Sequence, residues 1–192
     1  DVCSSDLAMA QLLDDPDCRL LTLAGPGGIG KTRLALEVAC QQWEGFSDGV
    51  YFAALAAAIS PKYMVPTIAR SVGLNFTGSA VPRHQLINFL RNKQTLLLLD
   101  NLEHLLDDVD LVVEILENAP GVKLLVTSRE RLELKGEWVF DVQGLPVPAE
   151  GETENLEKYS SVQFFLQRAR QMRNNFELTP QNCTAVAHIC RL

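Results

Sequence analysis

The 192-residue chain is 47% hydrophobic and 21% charged, the composition of an ordinary globular chain long enough for one sizeable core. Its net charge of -7 argues against a nucleic-acid surface, because neutralising phosphates needs clustered Lys and Arg. No stretch reaches the roughly 20 apolar residues of a membrane span and no secretory pattern opens the chain. Its five cysteines lack a CxxC pair and suggest neither a disulfide framework nor a zinc site, so a cytoplasmic location is expected.

In chain order, the first predicted strand is Leu20 to Ala24, a continuous apolar run that ends at Gly25. Val50 to Ala53 is a shorter candidate, Leu96 to Leu99 ends at Asp100, Val122 to Val126 ends at Thr127-Ser128-Arg129, and Trp138 to Val142 is a fifth. Continuous rather than alternating apolarity implies strands buried on both faces. Helices are predicted over Ala35 to Gln42, Tyr63 to Val72, Gln85 to Arg91 and Val109 to Ala119. In the last, Val109, Val112, Val113 and Leu116 share one face, and Pro120-Gly121 stops it. This alternation predicts an α/β chain around a parallel sheet of about five strands.

Residues 146–158 are polar and turn-rich and read as a linker. Beyond them the pattern is purely helical, with Val162, Phe165, Leu166, Ala169 and Met172 in one stripe behind a Ser160-Ser161 cap. A second helix is predicted with Thr179 as its cap and Pro180 in its first position. Cys183, Val186, Ala187 and Cys190 share helical spacing, so the two thiols are expected on a buried stripe rather than around a metal with His188.

The chemistry-bearing segment is Gly25-Pro26-Gly27-Gly28-Ile29-Gly30-Lys31-Thr32, a match to G-x-x-x-x-G-K-[ST] lying between a predicted strand and a predicted helix. Small residues let backbone amides wrap phosphates, the following helix points its positive end at them, and Gly25 to Thr32 together with Arg33 are the expected nucleotide-binding residues. Lys31 neutralises β- and γ-phosphate oxygens, and the Thr32 hydroxyl is suited to Mg²⁺. The motif therefore predicts a P-loop NTPase three-layer sandwich that binds ATP or ADP with Mg²⁺. A partner carboxylate for the metal should end a buried strand, since ligands sit at the carboxyl ends of parallel strands, and Asp100 after four leucines meets that requirement. Arg129 ends a third strand, where its guanidinium could read a γ-phosphate; the alternative is a solvated arginine in the run Arg129-Glu130-Arg131. Asp100 is followed by Asn101, an amide that cannot take a proton, where many ATPases carry a second acid. Glu103 is the nearest acidic candidate for the hydrolytic base, against the alternative of a solvated or helix-capping glutamate. His104 reads as a lone histidine in an ordinary helix start.

Together CRLLTLAGPGGIGKTRLALEVA, LLLLDNLEHLL, KLLVTSRERL and FELTPQNCTAVAHICRL resemble the STAND class of signalling ATPases, the NB-ARC-like group found in bacterial transcriptional regulators of the LuxR and AfsR type. The resemblance covers about residues 16 to 192. It implies that Leu96 to Asn101 is a Walker B block and that Arg129 is a sensor of the γ-phosphate, and the Asp-Asn pair recurs in its bacterial branch. Relatives open with a hydrophobic block containing Gly-Arg-Glu that contacts adenine. Asp1 to Leu7 does not match that block and resembles a translated sequencing adapter, so residues 1–15 are set apart and the opening is expected to be non-native. Relatives also continue into a Gly-Leu-Pro module, a winged helix and often repeats. The organisation expected is thus a nucleotide-binding domain at 16–145, a linker at 146–158 and the start of a truncated helical lid at 159–192.

The function expected is an ATP/ADP-binding switch module of a signalling ATPase or transcriptional regulator, with slow or absent hydrolysis in isolation. A fragment ending here would bind nucleotide without switching. The resemblance further implies intramolecular winged-helix, repeat and output domains and nucleotide-dependent self-association. A small P-loop kinase remains the alternative, although no acceptor-binding lid rich in Arg or Asp stands out between Val50 and Lys93. The third reading is a non-hydrolysing nucleotide-binding scaffold.

Overall fold

The computed structural model describes residues 2–58 and 60–191, with the side chains of 2–6, 107 and 108 outside that description. Asp1 and Leu192, the ends of the expected non-native opening and of the quoted tail, lie outside it as well. The chain divides into two units, 2–142 and 143–192.

In the first unit, five parallel strands are ordered β2-β3-β4-β1-β5: β1 Leu20–Ala24, β2 Val50–Ala54, β3 Thr95–Asp100, β4 Val122–Ser128 and β5 Glu137–Asp141. Each of the five lies where the apolar runs predict it, to within a residue or two. The four leucines of β3 divide between the two faces of the sheet. Leu97 and Leu99 pack with α3 (Met64–Ser71), α4 (Pro82–Leu90) and α5 (Asp110–Asn118), whereas Leu96 and Leu98 pack with α1 (Val2–Asp14) and α2 (Lys31–Gln41). All four are at most 1% exposed, which is why β3 reads as an unbroken apolar run. The result is three layers, with helices on both faces of one parallel sheet.

Several helix starts differ from expectation. α2 begins at Lys31 rather than Ala35, directly out of the glycine loop. α4 begins at Pro82 rather than Gln85, using proline in its first turn. α1 was not anticipated at all; it is anchored by Met9 and Leu13, which are 0% and 2% exposed, a stripe too sparse to register as periodic. Lys123 Nζ donates to the carbonyls of Leu13 and Asp15 at 2.6 Å each, tying the end of α1 to β4. On the other side of β1, the Arg19 guanidinium donates to the carbonyls of Leu116, Ala119 and Val122 at 2.7–3.2 Å. It thereby satisfies the Leu116 carbonyl in the last turn of α5, which Pro120 cannot serve, and adds to the Ala119 carbonyl, which also accepts from the Val122 amide.

In the second unit, α6 (Ser160–Met172) and α7 (Cys183–Arg191) pack through Leu156, Val162, Leu166, Val186 and Ala187, with Phe165 and Phe176 edge to face at 6.0 Å. The expected Ser160-Ser161 cap is corrected: no side chain caps α6, and the Ser161 hydroxyl donates instead to the Pro146 carbonyl at 2.7 Å. The expected helix start at Pro180 is corrected too. Asn182 Oδ1 accepts from the Thr179 amide at 2.8 Å, closing a turn, and α7 begins only at Cys183. Val186 and Ala187 are buried and Cys183 and Cys190 half-buried against the same cluster, as the helical spacing predicts. Among the described residues no helix is long and apolar enough to cross a membrane.

Candidate functional site

The sheet order sets β4 between β1 and β3, and the register pairs Ala24 with Ser128 and Leu99 with Val126. The carboxyl ends of β1, β3 and β4 therefore lie side by side. The glycine loop leaves from the first, Asp100 ends the second, and Thr127 and Arg129 stand at the third.

The loop needs glycine where the backbone turns left-handed, at Gly28 (φ 80°) and Gly30 (φ 100°). A Cβ at either position would meet nothing within 4 Å, so glycine serves conformation there and leaves open space over the loop. Lys31, 9% exposed, folds its amine back across the loop and donates to the carbonyls of Gly25 (2.6 Å) and Pro26 (2.9 Å). Pro26, Gly27 and Ile29 complete the turn, and Thr32 and Arg33 fall in the first turn of α2.

Thr32 Oγ1 donates to Asp100 Oδ1 at 2.6 Å, and Thr127 Oγ1 donates to the same oxygen at 2.7 Å. The Thr127 hydroxyl also accepts from the Asn101 amide at 2.9 Å, so one side chain of β4 fixes both the carboxylate and the turn after it. Thr127 was not singled out in the sequence; its signal was a hydroxyl at the carboxyl end of a buried strand next to the P-loop strand. Asn101 takes a left-handed conformation (φ 67°), which asparagine tolerates better than most residues. The Asp-Asn pair thus has a backbone reason as well as a chemical one.

After that turn the chain enters a 3-10 segment, Leu102–Asp108. Glu103 and Arg129, 26 positions apart, meet there: Arg129 Nε donates to Glu103 Oε1 at 3.1 Å. The Glu103 side chain is 14% exposed and that of Arg129 69%, and Glu103 Oε2 is buried without a hydrogen-bond partner. Glu103 is not solvated: it stands in the first turn of the 3-10 segment with its carboxylate engaged by Arg129. The Arg129 guanidinium lies 3.7–3.8 Å from where a Gly27 Cβ would stand, so the sensor candidate lies against the glycine loop. His104 lies in the first turn of this 3-10 segment, at a helix start as expected, and its Nε2 lies 2.9 Å from the Ala58 carbonyl, fastening the turn to the loop after β2.

The residues fit the groups that the motif implies. A carboxylate and a hydroxyl in contact supply two hard oxygens of the kind Mg²⁺ takes alongside phosphate and water. A buried ammonium and an open glycine turn at a helix N-terminus suit an anion. The structure brings Lys31, Thr32, Asp100, Arg129 and Glu103 to one end of the sheet.

Comparison with known proteins agrees with this architecture. Residues 4–172 match the NB-ARC domain family. A protein of Mycobacterium tuberculosis named as an HTH-type transcriptional regulator is 36% identical over 174 residues, which are 90% of this chain and 18% of that protein. The regulatory protein AfsR of Streptomyces griseus is 34% identical over 131 residues, 62% of this chain and 13% of that protein. The chain thus spans less than a fifth of the length of these regulators. Among solved structures, a chain from a structure of Drosophila ORC bound to DNA superposes with a TM-score of 0.57 at 18% identity, covering 96% of this chain and 49% of that one; that likeness is of fold. With a family model matching residues 4–172, most of its length, the chain belongs to the NB-ARC domain family, on a P-loop NTPase fold.

Proposed function

We propose that this domain binds Mg-ATP and Mg-ADP at the carboxyl end of its sheet and serves as the nucleotide-dependent switch of a cytoplasmic transcriptional regulator. The observation that carries the reading is the 2.6 Å contact between the Thr32 hydroxyl and the Asp100 carboxylate, beside the Lys31 amine inside the glycine loop. Lys31 and the loop amides would hold the phosphates, Thr32 and Asp100 the Mg²⁺, and Thr127 would keep Asp100 in place. The metal, when bound, screens phosphate charge. On exchange of Lys31 contacts from its own loop carbonyls to phosphate, the ammonium would keep its hydrogen bonds and gain an anionic partner.

Slow hydrolysis is part of the same proposal. Asn101 cannot accept a proton, and Glu103 is engaged by Arg129 rather than free to activate water. Turnover is expected well below the roughly 1–100 per second of kinases, and Asn101→Asp, which keeps a residue tolerant of the left-handed turn, is expected to raise it.

Calorimetric titration with Mg-ADP tests the binding reading. Lys31→Ala should weaken affinity by about tenfold or more, the scale of a lost charge-assisted contact. Superimposable titrations of wild type and a folded variant would overturn the assignment.

A further inference from the structure

We propose that Glu103 competes with the nucleotide's terminal phosphate for Arg129, and so sets how strongly the site prefers ATP over ADP. The inference rests on the nucleotide-binding reading above and gives Glu103 a role other than base. In the present arrangement Arg129 is neutralised by Glu103 at 3.1 Å while its guanidinium lies against Gly27 of the glycine loop. One guanidinium therefore stands between a protein carboxylate and the place where the motif puts phosphates. The two ends of the pair are unequally held. Glu103 is largely buried on a turn pinned by His104 to Ala58 and by the Asn101 amide to Thr127, whereas the Arg129 side chain is mostly exposed.

A γ-phosphate has to take Arg129 from Glu103 or share it with a second anion, and either costs ATP binding free energy that ADP, lacking that group, does not lose. Breaking the pair would also leave a mostly buried carboxylate whose Oε2 already has no partner, which strengthens the opposition. Glu103 would thus hold back the ATP-bound state, a bias that only a difference in affinity between the two nucleotides can produce.

The test is a double-mutant cycle by calorimetry on the whole chain, with Mg-ADP and a non-hydrolysable Mg-ATP analogue titrated into wild type, Glu103→Gln, Arg129→Gln and the double variant. Glu103→Gln should raise the preference for the ATP analogue over ADP by about fivefold, the upper range of a partly exposed ion pair, with ADP affinity little changed. Arg129→Gln should lower that preference, and in its background Glu103→Gln should add nothing. Glu103→Asp keeps the charge but draws it back, so an intermediate preference is expected, and this variant carries the test if the glutamine form does not fold. Unchanged preference in Glu103→Gln, or the same change with and without Arg129, would overturn the inference while leaving nucleotide binding intact. Failure of wild type to bind either nucleotide would overturn the binding reading, and this one with it. Loss of hydrolysis in Glu103→Gln at an unaltered preference would return Glu103 to the role of base.

Discussion

The P-loop unit and the helical segment that follows it are built on different terms. In 2–142 the sheet is covered on both faces, and strand residues such as Leu97 and Leu98, at 1% exposure, pack against helices from opposite sides. In 143–192 the core is one small cluster around Leu156, Val162, Leu166, Val186 and Ala187, while Met172 is 91% and Ile189 50% exposed on the same two helices. Burial scales with the number of layers, so the difference teaches where the deep core lies: the candidate site residues stand on the unit whose sheet is covered on both faces, and the core of 143–192 is one small cluster.

That contrast is broken most readily by core truncation. Leu98→Ala should destabilise the P-loop unit by about 2–5 kcal/mol, because the site cannot collapse from both sides of a sheet. Leu166→Ala should lower protection only within 143–192, as read by hydrogen exchange. Equal loss of protection across both units in either variant would erase the distinction. Arg19→Met should cost about 1–3 kcal/mol, since it leaves the Leu116 carbonyl at the end of α5 without its partner, and urea unfolding would register it in the P-loop unit.

Acid sharpens the comparison from the other side. Glu152 accepts from Lys158 Nζ (2.7 Å), the Tyr159 hydroxyl (2.6 Å) and the Ala149 amide (3.1 Å), and chiefly the Lys158 contact pulls its carboxyl down to about 2 from the ordinary 4.5. A carboxyl lowered by folding contributes stability that is fully present above its unfolded value and is lost as pH falls towards the folded one. Exchange protection around 149–159 should therefore decline between about pH 4.5 and 2, and Glu152→Gln should remove that dependence. An unchanged acid profile in the variant would show that other carboxyls govern it. The smallest effect concerns thiols. Burial pushes Cys18 up to about 11 while Cys40 is exposed, so a thiol reagent at neutral pH should label Cys40 first and Cys18 only on unfolding. Early labelling of Cys18 would mean that the face covered by α1 opens readily.

Much of the first unit was legible because its demands are local. A strand buried on both faces must be apolar throughout, and a phosphate-binding turn must be glycine-rich between a strand and a helix, so Leu20 to Thr32 and Leu96 to Asp100 declare themselves. The second unit was less legible because its caps compete with turns. Ser161 serves Pro146 and Asn182 serves Thr179, uses of polar side chains that the same residues in an N-cap would resemble. Within the site, the contacts that spacing cannot predict are those across strands. Thr127 reaches Asp100 over 27 positions and Arg129 reaches Glu103 over 26, and the second pairing depends on the left-handed turn at Asn101.

On the proposed function, Thr32 and Asp100 form one metal-binding pair serving a nucleotide held by Lys31. Calorimetry of ADP binding with Mg²⁺ and with EDTA, in wild type and in Asp100→Asn, tests it most directly. Wild-type affinity should rise with Mg²⁺ by about tenfold or more, the scale of a charge-assisted contact, and that gain should vanish in Asp100→Asn while the EDTA affinities of the two proteins stay close. The same Mg²⁺ gain in both proteins would contradict the account.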